Sequence, residues 1–170
     1  MSEDQKINDE AVVENQNASL QVLTQYVKDM SFENPNAPMS LGTSETGPQI
    51  SVNANVGVRQ LGAQDYEVAL DFRVETKRED EVGFIAELSY CGLFRVNNIP
   101  EENLRPVLLI EAPRQLFPFA RRVLSDMTRD GGFPPLLLDP IDFVALYQNS
   151  LQDDQPQNGS DISEPSTAPN

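Results

Sequence analysis

Four stretches of the chain alternate apolar and polar residues with a period of two. That spacing puts successive side chains on opposite faces of a sheet. The clearest stretch sets Ile50, Val52, Ala54, Val56 and Val58 against Ser51, Asn53, Asn55 and Arg59. A second sets Tyr66, Val68, Leu70, Phe72 and Val74 against Glu67, Asp71, Arg73 and Glu75. A third aligns Val82, Phe84, Ala86, Leu88 and Tyr90, with Ile85 and Glu87 opposite. The first in chain order is less regular. Leu20, Val22, Tyr26, Met30 and Phe32 share one face and Gln21, Gln25, Asp29 and Ser31 the other, but Leu23 and Val27 interrupt the pattern. Short polar links near Gly62 and near Glu79-Asp80 suit antiparallel hairpins. The link over residues 34–48 is long and holds Pro35, Pro38, Gly42, Gly47 and Pro48. It reads either as a functional loop or as a plain crossover between strands that are not neighbours.

After residue 100 the period changes. Leu109, Ala112, Leu116, Phe119, Val123 and Met127 recur at steps of three and four, one apolar stripe on a helix over residues 103–130. Pro106 suits its first turn, but Pro113 and Pro118 fall inside, so the helix kinks there or breaks into two. Gly131-Gly132 ends it. Asp139-Pro140 then supplies an N-cap and a first-turn proline for a last helix over residues 140–153, with Phe143, Leu146, Tyr147 and Leu151 at helical spacing. The expected fold class is α+β: a four-stranded antiparallel sheet followed by a long helix and a shorter C-terminal one. Residues 19–152 form one domain. Residues 1–18 and 153–170 are polar and acidic, and are expected to be disordered.

Charge narrows the partners. The chain of 170 residues has 27 Asp and Glu against 12 Lys and Arg, a formal charge of −15. That sign argues against nucleic acid and anionic membranes. No apolar run approaches the ~18 residues of a membrane span, so no direct membrane insertion is expected. The opening Met1-Ser2-Glu3-Asp4 is unlike a secretory signal, which points to the cytoplasm. There is no histidine, and Cys91 is the only cysteine. An intrachain disulfide, a Cys/His zinc site and every histidine-dependent triad are thereby excluded. Neither a Gly-rich phosphate loop nor a Gly-x-Ser-x-Gly turn appears. No catalytic residue, metal or cofactor is expected. Glu79, Asp80 and Glu81 read as a solvated hairpin tip, and Cys91 as a buried, inert thiol. Asp29 and Glu33 lie on one side of their strand, about 13 Å apart at the usual rise. That is too far to share a proton, so they form either a solvated strip or a binding strip for a basic partner.

Lys28-Asp29-Met30-Ser31-Phe32-Glu33-Asn34-Pro35-Asn36-Ala37-Pro38 resembles the SecB family of protein-export chaperones. Further matches are Leu116-Phe117-Pro118-Phe119-Ala120-Arg121, Gly132-Phe133-Pro134-Pro135-Leu136, and Leu138-Asp139-Pro140-Ile141-Asp142-Phe143 through Leu146-Tyr147. In order and spacing the resemblance covers residues 20–152.

The resemblance implies a homotetramer, a dimer of dimers with the long helices sandwiched between sheets. It implies an ATP-independent holdase that binds unfolded precursor polypeptides and delivers them to the translocase ATPase SecA. Asp29, Glu33, Ile85 and Glu87 match the family's SecA-docking face. Ala86, Leu88 and Tyr90 lie on the strand used at subunit contacts, with Leu109 and Leu116 of the helix stripe assigned to the same interface. The precursor groove would draw on Met39, Leu41, Phe143, Leu146, Tyr147 and Leu151, some of which must pack the last helix onto the sheet. Cys91 stands where the family usually has Gly or Ala, and residues 39–48 lack a Trp found in several relatives. A dedicated single-client module of the same fold, for example one linked to a toxin–antitoxin system, is the alternative. A small enzyme is disfavoured by the missing histidine.

Overall fold

The computed structural model describes residues 17–42 and 47–153. The ends expected to be disordered lie almost wholly outside them. Four strands come first: β1 (Ser19–Glu33), β2 (Gln49–Gln60), β3 (Asp65–Arg78) and β4 (Glu81–Asn97). They form one antiparallel sheet in the order β1-β4-β3-β2. The first and second strands therefore occupy opposite edges. The link between them crosses from edge to edge, and its described part, residues 34–42, lies against the β3–β4 hairpin. A 3-10 turn, Met39–Leu41, sits within that crossover. The hairpin closes through Glu79 and Asp80, both with positive φ (49° and 71°), the backbone shape that matches the twist of the flanking strands.

The irregularity of the first strand has a structural cause. Its register against β4 shifts between Val22 and Thr24 and again between Val27 and Asp29. Each bulge inserts one residue and exchanges the two faces. Tyr26 therefore pairs with Cys91 on the outer face, while Val27 pairs with Tyr90 on the inner one. The expected grouping of Tyr26 with Leu20, Val22, Met30 and Phe32 is corrected accordingly. After the second bulge the parity returns, and Met30 and Phe32 oppose Leu88 and Ala86 as the alternation predicts.

The inner face is covered by a helical rod built of α1 (Glu101–Pro106), a π turn (Val107–Glu111) and α2 (Ala112–Asp130). Pro113 has no N–H to give to Leu109, and in a regular helix its ring would strike that carbonyl. The π turn opens the ladder immediately before it, so the rod continues. Leu116, Ala120 and Leu124 of α2 are fully buried against Val68, Leu70 and Phe94 of the sheet layer. The approach is close at Gly92, where a Cβ would lie 2.7 Å from Leu116 Cδ2 and 2.6 Å from the Phe94 ring. Any side chain at this position would have to push Leu116 or Phe94 aside.

The rod ends at Gly131 and at Gly132, whose φ is +88°. Thr128, fully buried, then fixes the return of the chain: its Oγ1 accepts the Leu136 N–H at 2.9 Å and donates to Ser125 O at 3.0 Å. The last helix, α3 (Phe143–Asp153), begins three residues later than expected. Asp142, not Asp139, caps it, with Oδ1 accepting the N–H groups of Val144 and Ala145 at 3.0 Å each.

Candidate functional site

The crossover, the β3–β4 hairpin tip and the return segment after α2 meet at one end of the sheet. Phe32, Phe84 and Phe133 form a ring cluster there, with centroids 4.8–6.2 Å apart. The crossover is pinned to the hairpin: Asn36 Nδ2 donates to Val82 O at 2.9 Å, and Arg78 Nη1 donates to Gly42 O at 3.0 Å. Ser40 Oγ donates to Asn34 Oδ1 at 2.6 Å within the turn. Between these parts lies a cavity of 530 Å³, floored by Phe84 and Phe133 and walled by Met39, Ile50, Val82 and Leu137. Its rim side chains face water: Met39 is 81% exposed, Leu137 68% and Ile50 52%. A large concave apolar surface with flexible rim side chains suits an extended apolar peptide rather than one rigid small molecule.

Of the six expected groove residues, only Met39 lines this cavity. Leu41 sits beside it, packed against Gly132. Phe143 is 2% exposed and belongs to the core, with its ring edge-on to Phe117 at 6.1 Å. Leu146 is half-buried against the same core and Tyr147 is half-buried; Leu151 is exposed. The last helix packs on the π turn, and none of its residues lines the cavity. Ile50, Phe133 and Leu137, which line it, are not among the residues the sequence assigns to a groove. Ile50 shares the apolar face of its strand, but the helical rod covers only the middle of β2, leaving Ile50, Val52 and Val58 exposed.

The expected acidic face is assembled on the outer side of the sheet. Glu33 pairs with Ile85, Ser31 with Glu87 and Asp29 with Ser89, so all four expected residues occupy adjacent rungs of one face. A shallow depression beside them is lined by Asp29, Asp71, Arg73 and Glu87. Arg73 Nη1 donates to Glu87 Oε1. Lys77 Nζ lies 2.9 Å from Glu75 Oε1.

The expected subunit-contact residues are placed differently. Ala86, Leu88, Tyr90 and Leu116 are buried within the single chain, because they lie on the inner face or on the helix stripe that covers it. Leu109, on the π turn, keeps partial exposure. Apolar surface is instead exposed at Val27 and Met30 on the inner side of the β1 edge and at Phe119 of α2.

A second feature of the outer face escaped the sequence. Glu67, 5% exposed, accepts from Tyr26 Oη at 2.8 Å, Lys28 Nζ at 2.5 Å and Arg59 Nη2 at 2.8 Å. Tyr26 and Lys28 reach it from β1 across β4, and Arg59 reaches it from β2. The strap crosses all four strands and roofs Cys91, which is fully buried although it points outward. Hydrogen bonds from Lys28, Arg59 and Tyr26 hold the Glu67 carboxyl down to about 2. Burial, then the bond to Glu67, pushes the Tyr26 phenol up to about 12. Burial raises the Cys91 thiol above its ordinary value, which favours the protonated form.

Among the described residues, no group of three or more His, Cys, Asp or Glu is arranged to hold a metal ion, and no helix is long and apolar enough to cross a membrane.

This fold is that of the SecB-like chaperones. It superposes on the Mycobacterium tuberculosis Rv1957 SecB-like chaperone, solved in complex with a ChAD peptide from the Rv1956 HigA1 antitoxin, with a TM-score of 0.60 and 17% identity, covering 72% of this chain and 90% of that one. The chain itself belongs to the SecB family: the family profile, described as preprotein translocase subunit SecB, matches residues 13–154. A protein-export protein SecB of Parvibaculum lavamentivorans is 60% identical over 133 residues, spanning 78% of this chain and 79% of that protein. One from Rhodopseudomonas palustris is 51% identical over 138 residues, spanning 81% and 88%.

Proposed function

We propose that this chain is an ATP-independent export chaperone that holds unfolded precursors in the cytoplasm and passes them to SecA. Family membership supports the export role, and the observation that carries the holding role is the 530 Å³ cavity with exposed Met39, Ile50 and Leu137 at its rim. Unfolded chains expose apolar side chains that such a groove can bury. Flexible rim residues accept many sequences, because Met and Leu side chains repack around different shapes. Several grooves on one assembly would act together through effective concentration.

The acidic outer face is the docking surface for SecA in this reading, with Asp29, Glu33, Ile85 and Glu87 as its contacts. What supports it is their clustering on adjacent rungs beside Asp71 and Glu75. The working assembly is a homotetramer, a dimer of dimers. Val27, Met30 and Phe119 are apolar surface for another copy to cover, and Leu109 has partial exposure to contribute.

A refolding assay tests the holding role. The chain should delay the refolding of several unrelated unfolded proteins. Ile50→Asp with Leu137→Asp should weaken that binding at least tenfold, since each apolar side chain buried is worth about 1.5–3 kcal/mol. Unchanged binding by the double variant would remove the cavity from the reading. Capture of a single peptide and no other client would favour the dedicated module of the same fold.

A further inference from the structure

We propose that Arg73 is an internal competitor for the docking face: it occupies Glu87, a partner's cation must displace it, and it thereby sets the affinity and salt dependence of docking. This rests on the reading of the acidic face given above.

Arg73 and Glu87 are direct partners in the β3–β4 register, on the outer side of the sheet. The guanidinium Nη1 donates to Glu87 Oε1, and Nη2 lies 3.8 Å from Glu75 Oε2. The Arg73 and Glu87 side chains are 52% and 44% exposed, so neither charge needs the other to survive burial. An exposed pair of this kind adds little to folding. Its position has more consequence than its strength. Arg73 lines the same depression as Asp29, Asp71 and Glu87, in the middle of the carboxylates that would receive a basic partner.

Five carboxylates gather at this corner: Asp29, Glu33, Asp71, Glu75 and Glu87. The two cations among them are Arg73 and Lys77, and Lys77 engages Glu75. Asp29, Glu33 and Asp71 have no ion pair among the described residues, whereas Glu75 and Glu87 do. A docking Lys or Arg thus finds those three available and Glu87 already bonded. The guanidinium also repels an incoming cation at short range. Both effects oppose association and both fade with salt, since the groups are exposed.

The test is a titration of the full chain with purified SecA at low and high salt. Arg73→Gln should bind roughly two- to five-fold tighter at low salt, with the gain shrinking as salt rises. Arg73→Thr, suited to a strand, should behave alike. The gain should vanish when the same substitution is made in a Glu87→Gln background. Unaltered unfolding midpoints would show that the fold is intact. If Asp29→Lys binds SecA as the wild type does, the docking face is misassigned and this proposal falls with it. Suppose instead that Asp29→Lys weakens binding. Then an Arg73→Gln variant no tighter than wild type, or a gain that persists in the Glu87→Gln background, would overturn the competitor role alone, leaving only a general effect of net charge.

Discussion

Replacing Glu67 by Gln removes the charge on which three donors converge while keeping the volume of the side chain. Its carboxyl is held at about 2 rather than its ordinary 4.5 by Lys28, Arg59 and Tyr26, in that order. At ~1.4 kcal/mol per pH unit, that difference caps the contribution at about 3.5 kcal/mol. Lys28 and Arg59 are 46% and 64% exposed, so water recovers part of the interaction, leaving about 1–2 kcal/mol. The sign follows from the lowered value. The stabilisation is fully present above the unfolded value of 4.5 and is lost as the pH falls through about 2. Urea unfolding of wild type and Glu67→Gln at equal protomer concentration should therefore differ by about 1–2 kcal/mol at neutral pH and converge near pH 2. Equal concentration is needed because any assembly makes apparent stability concentration-dependent. A gap that stays constant across that range would refute the charge-based account. A gap absent at neutral pH would show that the strap does not hold the sheet.

Tyr26 should titrate far above a free phenol, near 12, in an ultraviolet difference titration of wild type against Tyr26→Phe. Its raised value means that its stabilisation holds below the ordinary 10 and is lost as the pH rises through about 12; titration at 10 in the folded protein would contradict the bond to Glu67. Gly131→Ala would place a Cβ 2.3 Å from Phe32 Cζ, so overpacking should cost about 1–3 kcal/mol in urea unfolding. Trimming the ring in a Phe32→Leu background should relieve much of that cost, and strict additivity of the two substitutions would show that the clash is not the cause.

Much of the fold was legible because burial imposes period. The second, third and fourth strands alternate as read, since one face of each contributes to a single apolar layer under the rod. The first strand was misread where bulges at Leu23 and Lys28 exchange the faces, and nothing in local composition marks a bulge. The prolines flagged a kink or a break in the helix; a π turn before Pro113 lets the rod continue. Periodicity put Asp29 and Glu33 on one side of the first strand and Ile85 and Glu87 on one side of the fourth, the family resemblance joined the two pairs, and the strand register sets them on adjacent rungs. The groove was not, because its walls come from three distant segments that only the crossover brings together.

The sequence by itself determined the α+β class, the order of elements, the absence of histidine chemistry and the motifs at residues 28–38, 116–121 and 132–147 that carry the family. Those properties are local: they depend on which residue types recur at which spacing. Tertiary structure decided how surfaces were divided. It assigned Ala86, Leu88, Tyr90, Leu116 and Phe143 to the core of one chain, and left Met39, Ile50 and Leu137 exposed around a cavity. It also drew Tyr26, Lys28 and Arg59 onto Glu67 from strands that are not its sequence neighbours. An apolar residue is equally apolar in a core or a groove, and a carboxylate equally charged in a strap or a docking strip. Which of these each becomes depends on what the rest of the chain places over it.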